Sequence, residues 1–197
     1  SSDLTSFAVS SDESRYVLNG IYFSLHDHKA TLVATDGRRL ALTESEADIP
    51  AESQGDFIVP TKAINELNRL LKDSGKVEMR FGENQASFTI LGENNLNTVI
   101  ISKLVEGKFP DYTRVIPKAY KNNFTIDREL LLRSLQRAAI MTSDKFKGVR
   151  CVIAPGSLKI SSTNADQEEA VEEMEIDYGG DSIDIGFNVT YLLDVLK

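Results

Sequence analysis

The sequence predicts an α+β fold made of two copies of one unit, each combining amphipathic helices with an antiparallel β-meander. Three observations predict it. Landmarks recur at a fixed offset: Asn19-Gly20-Ile21 answers to Lys147-Gly148-Val149, Ala34-Thr35-Asp36 to Ser162-Thr163-Asn164, and Ile64-Asn65-Glu66-Leu67 to Leu192-Leu193-Asp194-Val195, each pair 128 positions apart. A constant offset is the mark of a repeated structural module. Short runs alternate apolar and polar residues with a period of two, as half-buried strands do. Helical stretches are separated by several such runs, whereas a parallel sheet needs strand and helix to alternate one by one.

In the first copy, Leu4, Phe7 and Ala8 read as the tail of a helix, an opening so abrupt that a truncated start is expected. Ile21, Phe23 and Leu25 alternate with Tyr22 and Ser24 as a strand, His26-Asp27-His28 marks a turn, and residues 31–35 form the next strand. Asp36-Gly37 turns tightly into a third strand at residues 39–42. After a polar loop, Phe57-Ile58-Val59-Pro60 leads into a helix whose early Pro60 suits a first-turn position and whose stop is Asp73-Ser74-Gly75. Its apolar stripe is Ile64, Leu67 and Leu71; Lys62, Asn65, Arg69 and Lys72 occupy another face. Val77, Met79 and Phe81, then Ala86, Phe88 and Ile90, define two strands around a Gly82-Glu83-Asn84 turn, and residues 98–104 a third.

The second copy starts near Tyr120, with a strand at residues 124–126 and an Asp127-capped helix running to Ile140, on whose polar side Arg133 and Arg137 lie four apart. Strands follow at 149–154, 158–162, 171–178 and 183–187, and residues 188–197 repeat the helix after Pro60. Each unit is therefore expected to run helix, three strands, helix, three strands, with domains at 1–119 and 120–197 and both ends truncated.

Composition narrows the class. With 41% hydrophobic and 26% charged residues, the chain is ordinary for a soluble globular protein. It has neither the roughly 18 consecutive apolar residues of a membrane span nor an apolar leader after Ser1-Ser2-Asp3, which points to the cytoplasm. Cys151 has no second cysteine to pair with and reads as a small buried hydrophobe. A net charge of −8 argues against a uniformly basic nucleic-acid binder, but leaves room for a local cationic stripe on the helices. No Gly-rich phosphate loop, nucleophile elbow or His-activated nucleophile is apparent, so neither catalysis nor a cofactor is expected.

Several segments together resemble the beta subunit of bacterial DNA polymerase III, the sliding-clamp family. They are Arg15-Tyr16-Val17-Leu18-Asn19-Gly20, Ala34-Thr35-Asp36-Gly37-Arg38-Arg39-Leu40-Ala41, Ser102-Lys103-Leu104-Val105-Glu106-Gly107-Lys108-Phe109-Pro110-Asp111-Tyr112, Lys145-Phe146-Lys147-Gly148-Val149-Arg150 and Phe187-Asn188-Val189-Thr190-Tyr191. The resemblance covers most of the family's middle domain and the first part of its third. It implies the DNA-clamp fold and a processivity factor without a catalytic site, whose subunits pair head-to-tail in a ring around duplex DNA. The implied partners are DNA, the polymerase alpha subunit, the clamp-loader delta subunit and other proteins carrying a clamp-binding motif.

The resemblance assigns residues to two surfaces. A peptide groove between the middle and third domains matches Arg15, Leu18, Thr35, Gly37, Arg38, Arg39, Leu40, Pro110, Arg114 and Val115, the apolar members offering contacts and the arginine stems walling the groove with their heads in water. Position 38 is often histidine in the family and is arginine here, implying a different partner preference. A DNA-facing surface matches Tyr16, Lys62, Arg69, Arg133 and Arg137, with Val17 where the family often has a second tyrosine. Ile140 and Met141 match positions at the subunit interface of the full-length protein.

Simpler alternatives stand beside these. The Lys62, Arg69 and Lys72 stripe also fits a solvated helix face. Leu18, Leu40 and Val115 fit ordinary core, and Arg15, Arg39 and Arg114 ordinary surface. Glu168, Glu169, Glu172, Glu173, Glu175 and Asp177, or His26 and His28, would serve a small acidic enzyme or a cation site. On a strand, however, Met174, Ile176 and Tyr178 would face inward and Glu173, Glu175 and Asp177 face water. No metal site is expected. A peptide-binding α+β scaffold that does not act on DNA is the other alternative.

Overall fold

In the computed structural model, the alternation of the first strand becomes one wall of a core. The structure describes residues 3–71, 76–92, 97–143 and 146–197. Of the sequence expectations, the Leu4 side chain, Lys72, the stop at Asp73-Ser74-Gly75 and Lys145 lie outside the described residues. The chain divides into two compact units, residues 1–111 and 112–197, a division ahead of the expected boundary after residue 119.

The first unit begins with a short helix, α1 (Asp3–Ser6), and a 3-10 segment, Glu13–Leu18. Strands β1 (Gly20–His26), β2 (Lys29–Thr35), β3 (Leu40–Glu46) and β4 (Gly55–Pro60) form an antiparallel sheet in the order β3-β2-β1-β4. The expected three-stranded meander is thus four-stranded, because Phe57-Ile58-Val59 continues on the free edge of β1, with Phe57 opposite Phe23. Ile21, Phe23 and Leu25 are buried together with Phe57, Val59, Ile64 and Leu67. The Phe23 and Phe57 rings stack at 5.4 Å, and Phe57 lies 4.4 Å from Phe81. Asp27 and His28 adopt positive φ (49° and 62°), which gives the two-residue β1–β2 turn the twist a tight hairpin requires.

Helix α2 (Thr61–Leu70) starts after Pro60, whose fixed φ of −64° leads the chain out of β4, and it buries Ala63, Ile64 and Leu67. Strands β5 (Val77–Phe81), β6 (Gln85–Leu91) and β7 (Asn97–Lys103) form a second antiparallel sheet, β5-β6-β7, with Ala86 and Phe88 inward.

The second unit repeats the first sheet. Helix α3 (Arg128–Ile140) is capped by Asp127, whose carboxylate accepts the Leu130 N–H at 2.8 Å. Strands β8 (Gly148–Ala154), β9 (Ser157–Thr163), β10 (Glu169–Glu175) and β11 (Ile183–Asn188) follow in the order β10-β9-β8-β11, the same path as the first sheet, and α4 (Val189–Leu196) stands where α2 stands. Even the strand-to-helix joint recurs. The Thr61 N–H donates to the Asn19 carbonyl at 3.0 Å, and the equivalent Val189 N–H donates to the Lys147 carbonyl at 2.7 Å.

Two boundaries differ from expectation. Residues 124–126 are not a strand: Phe124 and Ile126 pack against the core, but the segment joins no ladder among the described residues. Strand β10 stops at Glu175 although its apolar alternation runs on through Ile176 and Tyr178, both buried. There the Ile176 N–H turns to the Gly156 carbonyl, and the Gly156 N–H donates to the Tyr178 carbonyl. Cys151 lies in this core, and burial pushes its thiol up from its ordinary value.

Ile64 and Ile160 each lie in one unit's core with no exposed surface. Ile64→Ala and Ile160→Ala should each lower the unfolding free energy by about 2–5 kcal/mol through lost burial and the cavity left behind. A reduced urea midpoint, followed by circular dichroism, checks this.

Candidate functional site

Of the residues expected at a peptide groove, Thr35, Gly37, Arg38, Arg39 and Leu40 lie at the β2–β3 turn with Arg15 against it, and one carboxylate organises the turn. Asp36 Oδ1 accepts the backbone N–H groups of Arg38 (2.9 Å) and Arg39 (3.0 Å), while Oδ2 accepts from Arg39 Nε at 3.2 Å. Thr35 closes the same turn from the strand side: its hydroxyl donates to the Arg39 carbonyl at 2.6 Å and accepts the Gly37 N–H at 3.0 Å. Burial would push the Asp36 carboxyl up, but the two N–H groups and the Arg39 guanidinium outweigh it and hold the carboxyl below its usual range.

Gly37 has φ +86°, and a Cβ there would stand 2.8 Å from the Arg15 guanidinium. The left-handed backbone is what favours glycine here, since the exposed Arg15 side chain could swing aside from a Cβ. Arg15 Nη1 also reaches the Asp36 carbonyl at 3.4 Å, and its Nε lies 3.9 Å from Asp12, the cap of the 3-10 segment.

The arginines expected to wall the groove with their heads in water do not behave alike. Arg39 is drawn into the unit: beyond Asp36, its guanidinium donates to the Phe7 carbonyl at 2.6 Å and lies 5.6 Å from the centre of the Phe7 ring. Only 20% of its side chain is exposed. Arg38, one residue earlier, is exposed, and its side chain makes no hydrogen bond or ion pair among the described residues. Arg15 is exposed as expected.

The apolar members separate as well. Leu18 is buried at the end of the 3-10 segment, Leu40 is half-buried, and Pro110 is exposed beside Phe109, which is buried and stacks on Tyr22 at 4.9 Å. In the second unit, Arg114 and Val115 are both exposed. The sequence reading missed Phe7, Asp12 and Asp36 as supports of this site. The Thr-Asp-Gly run carried a signal for Asp36, since an aspartate before glycine commonly bonds its own turn.

The cationic helix residues are reached by water but differ in freedom. On α2, Lys62 is exposed without an ion pair among the described residues, whereas Arg69 bonds Glu66 at 2.6 Å. On α3, Arg133 is exposed with Glu129 at 3.9 Å. Arg137 is held more firmly: both carboxylate oxygens of Glu172 on β10 accept from it, and it donates to the Ser134 hydroxyl at 3.1 Å. This hydrogen-bonded pairing with Arg137 keeps Glu172 below its ordinary value, and Glu172 in turn raises Arg137. Glu172 is therefore not part of a solvent-facing acidic row, while Glu173, Glu175 and Asp177 do face water.

Tyr16 is exposed in the 3-10 segment. A Cβ on Gly107 (φ +114°) would stand 2.8 Å from Val17, so the 104–109 segment closes directly over this part of the chain. Ile140 is 78% exposed at the end of α3, and Met141 is half-buried at its C-cap. His26 pairs with Asp56 at 3.1 Å. Among the described residues, no three His, Cys, Asp or Glu side chains come together as a cation site would require. No helix among them is long and apolar enough to cross a membrane.

With this geometry in place, comparison with known proteins is specific. The family model for the DNA polymerase III beta subunit, central domain, matches residues 3–111, and that for its C-terminal domain matches residues 113–197. The chain is 45% identical over 193 residues to the beta sliding clamp of Pseudomonas putida, covering 98% of this chain and 51% of that protein. It is 38% identical over 202 residues to the beta sliding clamp of Escherichia coli K12, covering 99% and 52%. It therefore spans about half the length of the curated relatives it matches. Among solved structures it is similar to a DNA polymerase sliding clamp from Pseudomonas aeruginosa, at TM-score 0.91 and 41% identity over 99% of this chain and 53% of that one. A clamp from Bartonella birtlesii bound to griselimycin matches at TM-score 0.89 and 37% identity, over 99% and 53%.

Two predictions follow from the turn. Arg39→Ala should destabilise the first unit by about 1.5–3 kcal/mol, the range for a hydrogen bond to a charged group, while Arg38→Ala leaves the melting temperature nearly unchanged; thermal denaturation compares them. Because Asp36 is depressed in the fold, its contribution to stability is complete above the ordinary carboxylate value of 3.8 and is lost as pH falls through its lower folded value. Asp36→Asn should therefore flatten the acid limb of the stability–pH profile in urea titrations.

Proposed function

The chain belongs to the DNA polymerase III beta subunit family, and on that premise we propose that it supplies repeated units of a sliding clamp, a tether for the replicative polymerase with no catalytic site of its own. The observation that carries this reading is the duplicated sheet, β3-β2-β1-β4 and β10-β9-β8-β11, each accompanied by a helix with cations in water. In the full-length protein, head-to-tail pairing of subunits closes a ring on duplex DNA, with Ile140 and Met141 at the subunit interface. Encirclement replaces dissociation with sliding along the duplex.

The physical demands of sliding match the helix residues. Lys62, Arg69, Arg133 and Arg137, with Tyr16, meet phosphates rather than base edges, so every register on the DNA is equivalent. Exposed cations attract the duplex through high dielectric, which keeps each contact weak. A mobile ring requires that weakness.

The second activity is docking. A short peptide from the polymerase alpha subunit, the clamp-loader delta subunit or another partner lies against the β2–β3 turn. Leu40 and Pro110 give it apolar contact and Arg15 and Arg38 frame it, with affinity concentrated in a few anchors. Arg114 and Val115, exposed in the second unit, are assigned to peptide docking by the family resemblance. Arg39 acts at one remove, by holding the turn. On this reading the protein acts on chromosomal DNA and so in the cytoplasm.

Fluorescence anisotropy with a labelled Gln- and Leu-containing peptide and, separately, a labelled linear duplex tests the proposal. Saturable peptide binding should be weakened by Arg15→Glu, and duplex binding should be barely measurable and vanish with added salt. Peptide binding indifferent to Arg15→Glu, or tight duplex binding that survives high salt, would overturn it.

A further inference from the structure

We infer that Tyr22 of β1 is a positioning residue for the docked peptide: its ring fixes Phe109, and Phe109 fixes the exposed ring of Pro110. This rests on the docking reading above and adds to it the residue that sets one of its apolar contacts. Ile21 and Phe23 face the core, so Tyr22 lies on the opposite face of the sheet, half-buried and paired with Ile58 on β4. There it stacks on the buried Phe109 ring, with the centroids 4.9 Å apart and the planes 13° from parallel.

Both ends of this contact are held. The Tyr22 hydroxyl donates to the Asp56 carboxylate, which also accepts from the Ser24 hydroxyl and lies 3.1 Å from His26 Nε2. Segment 104–109 is tied down where it begins: the Leu104 N–H donates to the Asn84 carbonyl at 2.8 Å and the Val105 N–H to the Ile58 carbonyl at 2.9 Å. Beyond those bonds it stands off the sheet, leaving a cavity of about 500 Å³ lined by Tyr22, Asp56, Ile58, Glu106, Lys108 and Phe109. Gly107 approaches Val17, and the aromatic stack is the next hold on the chain before Pro110.

Proline carries that placement outward. Its ring locks φ, and it confines the residue before it to extended backbone. Phe109 and Pro110 therefore move as one rigid pair, and a ring stacked at 109 leaves little freedom at 110. An apolar contact set in advance spares the ordering that binding would otherwise require.

The experiment titrates the labelled Gln- and Leu-containing peptide into the 197-residue chain and its Tyr22→Ala, Tyr22→Leu and Tyr22→Phe variants by fluorescence anisotropy. Circular dichroism at the same temperature verifies that each is folded; Tyr22→Leu, which keeps apolar volume on the sheet, carries the reading if Tyr22→Ala does not fold. Loss of the ring in Tyr22→Ala and Tyr22→Leu should weaken peptide binding about two- to tenfold, the scale of one aromatic pair, whereas Tyr22→Phe should stay within about twofold of the unmodified chain. Amide hydrogen exchange across residues 105–109 should quicken in the first two variants and not in the third.

Peptide binding unchanged in Tyr22→Leu, or weakened as much in Tyr22→Phe as in Tyr22→Leu, overturns the positioning role while docking stands. If the unmodified chain binds no peptide, docking and positioning fall together.

Discussion

The inward face of β1, with its counterpart β8, is the constraint on which the rest of each unit depends. Ile21, Phe23 and Leu25 alternate with polar residues, and that period fixes which side of the sheet receives a helix. A slip of one residue would turn the apolar set outward. The slip is opposed by Phe57 opposite Phe23 on one side and by the tight Asp27-His28 turn on the other. Val149 and Cys151 set the second sheet in the same way against Leu135 and Ala138 of α3. Each fully buried aliphatic side chain contributes about 1.5–3 kcal/mol, so a handful of such positions decides the pairing.

On this frame the polar groups do a narrower job. The β2–β3 turn is held by a carboxylate that neutralises one arginine and leaves another in water, so two adjacent residues of the same type play unrelated parts. Arg39 belongs to the architecture and Arg38 to the surface. The same contrast appears on the helices, where Arg137 is tied across to Glu172 and Lys62 has no ion pair among the described residues.

Much of this was legible in the amino-acid order. The recurrence at 128 positions foretold two sheets of one topology, and period-two alternation placed Ile21, Phe88 and Met174 inward. Failures occurred where structure depends on a distant partner. The run at residues 124–126 has strand composition, yet a strand exists only through its ladder, and composition does not reveal a ladder's absence. At β10 the apolar alternation outlasts the pairing, because Ile176 finds its backbone partner at the Gly156 turn. For Arg39 the sequence shows a charge but not the Phe7 carbonyl that binds it, and the same holds for Arg137 and Glu172, which are 35 positions apart. Family resemblance assigned Arg15, Arg38 and Arg39 to one groove by position but could not say which of them was committed inward.

The pairing of Arg69 with Glu66 and of Arg137 with Glu172 has one more consequence. A guanidinium that already carries its own counter-carboxylate adds little net charge to the surface it stands on. The cationic count of these helices therefore overstates their net charge: Arg133 also lies 3.9 Å from Glu129, and of the four cations only Lys62 has no ion pair among the described residues.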